Sequence, residues 1–219
     1  MTFSKKKRNT LATAAMLLLA SSLICFSAWG FLRRYTATHN SKPIIPTETV
    51  THSMDTPDET PPVDACDAYT APANEPRKIE VPSIGTSGCV QKVGIDQRNA
   101  IAAPTNIHLA GWYVNSALPG EKGVSIIDGH VQGRYGTAIF TNLDRLRSGD
   151  QIKVQLGDES WREFEVVSIG TYSVNETNDE LFKSANGVDK QLTLVTCAGT
   201  YNSQTKTYDK RVIVRAKKV

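Results

Sequence analysis

Beyond residue 34 the chain has no dense basic patch. Residues 77–219 carry 18 basic and 15 acidic side chains, which removes the electrostatic footprint of a nucleic-acid binder. No acidic cluster is arranged to hold calcium, and no cofactor or metal is expected. No internal repeat is visible. Cysteine and histidine number four each, and only His108 and His130 lie beyond residue 76. Helical periodicity is weak, and one long uncharged run stands alone. At 219 residues, 40% hydrophobic and 21% charged, the chain has room for one domain of ordinary size with appendages.

The lone run is Leu11 to Leu32, 22 residues without a charge. About 20 apolar residues span a bilayer core as a helix. Residues 1–34 hold six basic groups and no acid, and Lys5, Lys6, Lys7 and Arg8 precede the run. This pattern predicts a cytoplasmic tail at 1–10 and a transmembrane signal-anchor helix at 11–32, with the remainder outside the cytoplasm. A cleaved signal peptide is the rival, but its apolar core is shorter, about 7–15 residues. Residues 35–76 carry seven acids against Lys42 and many Thr and Pro, and few large apolar residues. That composition predicts a flexible extracytoplasmic linker over 33–76.

Outside the cytoplasm disulfides persist. Setting aside Cys25 in the apolar run, Cys66, Cys89 and Cys197 remain. Either Cys66 pairs with Cys89, tying the end of the linker to the domain, or all three are free thiols.

From about residue 77 to 219 short apolar-alternating segments are separated by Gly, Pro, Asn and Asp. Strands are predicted over 78–81, 124–127, 150–156, 162–169, 191–197 and 211–216. Many short strands at this spacing indicate an all-β sandwich or barrel. Ile139, Phe140, Leu143 and Leu146 have near-helical spacing, which predicts a short helix over 138–146.

Three residues invite a chemical reading. Cys197 ends the run Thr193-Leu194-Val195-Thr196 and is followed by small, turn-prone residues. It is either a small core hydrophobe or a nucleophile at a strand tip. His130 follows the apolar stretch 124–127 and Gly129, a placement that can project an imidazole from a barrel rim. A Cys–His pair makes a thiolate and later protonates a leaving amine. Arg211 opens the last strand. If that strand pairs with the strand of Cys197, its guanidinium can donate to an oxyanion or to substrate carbonyls.

Taken together, Thr193–Cys197, Gly129-His130 and Tyr208–Val214 resemble a sortase. The resemblance extends to Lys78–Gly85, Gly111-Trp112-Tyr113, Leu118-Pro119-Gly120 and Ala138 through Asp150, which look like the class F branch. It implies an eight-stranded β-barrel over 77–219 with one or two short helices and a cysteine transpeptidase site at one edge. By that analogy Cys197 attacks the Thr–Gly carbonyl of an LPXTG-like sorting signal. His130 protonates the leaving amine, and Arg211 stabilises the oxyanion. Thr196 lends its hydroxyl or backbone to substrate binding. Arg215, on the same face as Arg211, is the alternative arginine, because Arg211 follows class A placement better than class F. Asp128 stands where a small residue is common and reads as a surface carboxylate. The pilin-polymerising branch's Asp-Pro-aromatic lid motif is missing from residues 33–76. The implied partners are proteins with a C-terminal sorting signal, a cell-wall or lipid-linked amine acceptor, and the membrane; a monomer is the default.

Other functions compete. Ser87-Gly88-Cys89-Val90 faintly resembles the cysteine motif of L,D-transpeptidases, which would make Cys89 the active thiol. A non-enzymatic surface-binding domain would leave Cys197, His130 and Arg211 as packing and surface residues. A sortase-fold hydrolase would share the acyl-enzyme but finish with water.

Overall fold

The computed structural model describes residues 48–54, 56–62, 66 and 69–219. Eight strands run in chain order among them: β1 Pro76–Val81, β2 Thr86–Val93, β3 Ala110–Tyr113, β4 Gly123–Gly129, β5 Gln151–Leu156, β6 Trp161–Ser173, β7 Lys190–Asn202 and β8 Thr207–Lys218. They close into a barrel in the order β1-β2-β3-β4-β7-β8-β6-β5, with β5 back against β1. Closure leaves no strand edge to template aggregation. The β2–β3 and β4–β7 pairs are parallel and the others antiparallel.

Alternation decides which face goes inside. On β5, Ile152, Val154 and Leu156 are buried, while Gln151 is exposed and Lys153 and Gln155 are half-buried. Phe140, Phe164, Leu192, Leu194, Val212 and Val214 fill the interior. Strand β7 is buried on both faces because its outer side is also covered. There Ile126, Val195 and Ile213 pack with Leu181 of the single α-helix among the described residues, α1 (Val174–Leu181).

Sequence carried a signal for α1 that hydrophobic periodicity missed. Ser173-x-x-Glu176 is a capping box, and the Glu176 carboxylate accepts the Ser173 amide at 2.9 Å. The helix expected over 138–146 is absent; only a 3₁₀ turn at Leu143–Arg145 forms there. Its amides are used elsewhere. Ile139 N–H donates to the Ile107 carbonyl and Phe140 N–H to the His130 carbonyl. The Thr141 hydroxyl oxygen accepts the Ala138 amide at 2.8 Å. Tertiary bonding thus replaces the helical ladder at apolar positions that still point into the core.

The linker expected to be flexible through residue 76 also differs. Val50 N–H donates to the Lys92 carbonyl, and Gly94 N–H to the Val50 carbonyl. Asp58 pairs with Asn106 as a short parallel bridge. Val50 and Tyr69 are buried, and Cys66 is bonded to Cys89. These few apolar and bonded anchors are enough to dock a polar segment. Among the described residues no helix is long and apolar enough to cross a membrane. The anchor expected at 11–32 and the tail at 1–10 lie outside the described residues.

Candidate active site

Strand register builds the site. Strand β4 lies parallel to β7, with Asp128 opposite Val195. One step on, the Thr196 hydroxyl donates to the Gly129 carbonyl at 2.7 Å. His130 and Cys197 are the next residues along these two segments. On the other side of β7, Cys197 is the register partner of Arg211 in β8. Three residues spread over 82 positions therefore converge on adjacent strands at one end of the barrel. Just before His130, Gly129 lets the strand pack against Ile139 and Phe140, which a Cβ there would strike.

Cys197 is half-buried and is the free thiol among the described residues. Burial pushes it above the ordinary thiol range; the Arg211 charge opposes this and Asp128 adds to it. Burial also pushes His130 below the ordinary imidazole range, partly offset by its bond to Pro104. That bond runs from Nε2 to the Pro104 carbonyl at 2.8 Å. A carbonyl only accepts, so Nε2 carries the proton and Nδ1 keeps the basic lone pair. For both groups burial favours the uncharged form. Arg211 anchors its Nη1 on the carbonyls of Lys210 at 2.7 Å and Tyr208 at 3.0 Å. This braces the guanidinium beside the thiol.

Other residues placed by sequence fall elsewhere. Arg215 is buried, 5% exposed, and is held by Glu180 at 2.6 Å, by the carbonyls of Glu180 and Lys183, and by the Tyr172 hydroxyl. It sits four residues along β8 from Arg211, locking α1 to the barrel, where substrate cannot reach its fork. Thr196 is buried, and its hydroxyl is spent on Gly129. Cys89 is fully buried and disulfide-bonded, so it is no nucleophile and the L,D-transpeptidase reading loses its thiol.

Asp128 is not a surface carboxylate. Its Oδ1 is buried without a hydrogen-bond partner, packed against Gly111 so closely that a side chain at 111 would collide with it. Burial raises this carboxyl well above the usual range. Sequence gave only its position, two before His130. Tyr208 and Gln132 were also unforeseen. Tyr208 takes a side-chain hydrogen bond from the Gln132 amide group and packs against Tyr201, with ring centroids 5.1 Å apart and the planes tilted by 53°. Burial first, then Cys197, raises its phenol. Nothing but proximity in the β7–β8 hairpin could have marked it. A cleft of about 230 Å³ between residues 84–87 and 137–139, with His108, Thr141 and Asn142 in its wall, is lined by none of Cys197, His130 and Arg211.

Comparison with known proteins comes to one answer. A family model described as "Sortase domain" matches residues 79–219. Sortase A of Staphylococcus aureus (strain NCTC 8325 / PS 47) is 36% identical over 80 residues, which is 36% of this chain and 37% of that protein. The match thus spans little more than a third of that relative's length. Among solved structures, a lid mutant of sortase A from Corynebacterium diphtheriae aligns over 70% of this chain and 74% of its own. Its identity is 25% and its TM-score 0.52. Sortase C1 from Streptococcus agalactiae aligns over 72% and 74%, with 23% identity and a TM-score of 0.50, and shares the fold.

Proposed function

The chain belongs to the sortase family, and from that premise we propose that it is a membrane-anchored thiol transpeptidase, of the class F type, on the surface of a Gram-positive cell. It cleaves an LPXTG-like sorting signal and passes the released protein to a cell-wall or lipid-linked amine. What supports this reading is the pairing of Cys197 with Arg211 across β7 and β8, together with the bond from Thr196 to Gly129 that joins the residues before Cys197 and His130.

The steps follow from those three groups. Cys197 Sγ attacks the threonyl carbonyl as its proton passes to His130 Nδ1. Arg211 donates to the oxyanion that forms, where a fixed donor is worth more than in water. The C–N bond then breaks, and the His130 imidazolium gives its proton to the leaving glycine amine. An incoming amine attacks the thioacyl carbon, His130 takes its proton, and the Cys197 thiol is restored. Thr196 supports the reaction by fixing the spacing of β4 and β7. No cofactor enters. The apolar run at 11–32 would hold the enzyme in the membrane as a monomer with its barrel outside.

The full chain, purified in detergent, would be incubated with a quenched LPXTG-type peptide and a glycine-based amine, beside Cys197→Ala. An amine-ligated product that disappears in the variant supports the proposal. Hydrolysed peptide alone would make the enzyme a hydrolase, and no cleavage by either protein would sink the reading for this signal class.

A further inference from the structure

Residues 56–60 cross the barrel beside His130 and hold both segments that flank it. Asp58 N–H donates to the Thr105 carbonyl, and Ile107 N–H donates to the Asp58 carbonyl. The Asn106 side-chain amide donates to the Thr60 carbonyl at 2.8 Å, and His108 Nε2 donates to the Glu59 carbonyl at 3.1 Å. These residues continue directly from Pro104, whose carbonyl receives His130 Nε2.

The Glu59 side chain reaches the other flank. Its two carboxylate oxygens accept the consecutive amides of Arg134 at 2.5 Å and Tyr135 at 3.1 Å. Two successive N–H groups aimed at one carboxylate make a small anion-binding nest. Gly133 makes room for it, because a Cβ there would lie 2.9 Å from the Glu59 carboxyl carbon. The segment 131–135 starts at His130 and contains Gln132, the partner of Tyr208 beside Cys197. Glu59 thus reaches both flanks of the histidine, one by its carboxylate and one by its carbonyl, and Cys66–Cys89 fastens the chain a few residues further on.

We propose that Glu59 is a positioning residue of the active site: its carboxylate fixes the 131–135 loop while its carbonyl and the backbone of the adjoining Asp58 fix the segment after Pro104, so that His130 is gripped from both sides. The inference deepens the transpeptidase reading and rests on it for its kinetic consequence. Residues before the barrel are thereby part of the catalytic apparatus rather than a passive spacer. Losing the carboxylate lets the loop drift, and with it the Pro104 contact that raises the basicity of His130.

The test compares wild type, Glu59→Gln and Glu59→Ala in the full chain. Glutamine keeps the size but can accept only one of the two amides, so it separates shape from charge. Both variants should show faster amide exchange at 134–135. The His130 imidazole, followed by NMR titration, should titrate at lower pH. The kcat for peptide cleavage should fall about tenfold, with KM changed less. Unaltered exchange would show that Glu59 does not hold the loop. Faster exchange with an unmoved His130 titration would show that the loop does not position the histidine. Either result overturns the proposal. Exchange and titration need no turnover, so failure of the transpeptidase reading, seen as an inactive wild type, is read separately.

Discussion

The Thr196 hydroxyl donates to the Gly129 carbonyl at 2.7 Å, joining the residue before Cys197 to the residue before His130. This buried bond sets the offset of the two strands on which the chemistry depends. Thr196→Val keeps the shape but leaves the carbonyl unpaired, a loss of about 1–3 kcal/mol. Thermal melting should register that loss. Because Cys197 and His130 shift relative to each other, kcat should fall roughly ten- to a hundredfold with a smaller change in KM. A variant that melts earlier yet turns over normally would refute the spacing role.

Arg211 and Cys197 face each other across β7 and β8. Burial raises the thiol, and Arg211 holds part of that rise back. Alkylation of Cys197 by iodoacetamide, quantified on the Cys197 peptide by mass spectrometry, reads the thiolate as pH is varied. The wild-type midpoint should lie above that of an ordinary cysteine, and Arg211→Ala should move it higher still. At any given pH the variant therefore reacts more slowly. A lower midpoint in the variant would contradict the electrostatic assignment.

Burial raises the Asp128 carboxyl well above its ordinary range. Such a group costs nothing below the unfolded pKa, near 3.8. Above it the unfolded chain releases the proton and the folded one does not, so stability drains away as pH rises toward the folded pKa. Asp128→Asn cannot ionise. Its melting temperature should exceed that of wild type at pH 7–8, with the gap closing by about pH 4. A constant gap at all pH values would mean that Asp128 is charged in the folded protein.

Arg215 and Glu180 join β8 to α1 at 2.6 Å, away from the thiol. Hydrogen bonds from Lys183 and then Arg215 lower the Glu180 carboxyl below its usual range. The stability it contributes is present above the unfolded carboxylate pKa and is lost as pH falls through the lower folded value. Arg215→Ala should lower the melting temperature at neutral pH, less so in strong acid, and leave KM for the sorting peptide unchanged. A raised KM with unchanged melting would return Arg215 to the substrate site.

Much of the barrel was legible because alternation is a local property. The patterns around Ile152, Phe164, Leu192 and Val212 give both the strands and their inner faces. Strands β2 and β3 were less so. Gln91 and Trp112 are buried by neighbours on both sides, and continuous burial erases the period-two pattern. At the site, Cys197, His130 and Arg211 could be named from residue type and strand ends. The offset that aligns them could not, since register between distant strands is a property of the closed sheet. Arg215 shares the face of Arg211 by alternation, and only the presence of α1 over that face shows it to be buried. Pro104 acts through its backbone carbonyl, and the Glu59 carboxylate is met by the backbone amides of Arg134 and Tyr135; every residue possesses such groups, so no side-chain signal marks these partners.

The parallel pairing of β4 with β7 bears on how the protein comes into being. Gly129 and Thr196 are 67 residues apart and meet only when the intervening β5, β6 and α1 have been laid down. Pairings across such long loops form late and slowly, because chain entropy is surrendered before the contact rewards it. Cys197 and His130, the residues that follow Thr196 and Gly129, therefore do not come together in an early, locally folded intermediate. The candidate site is therefore complete only once the barrel has shut.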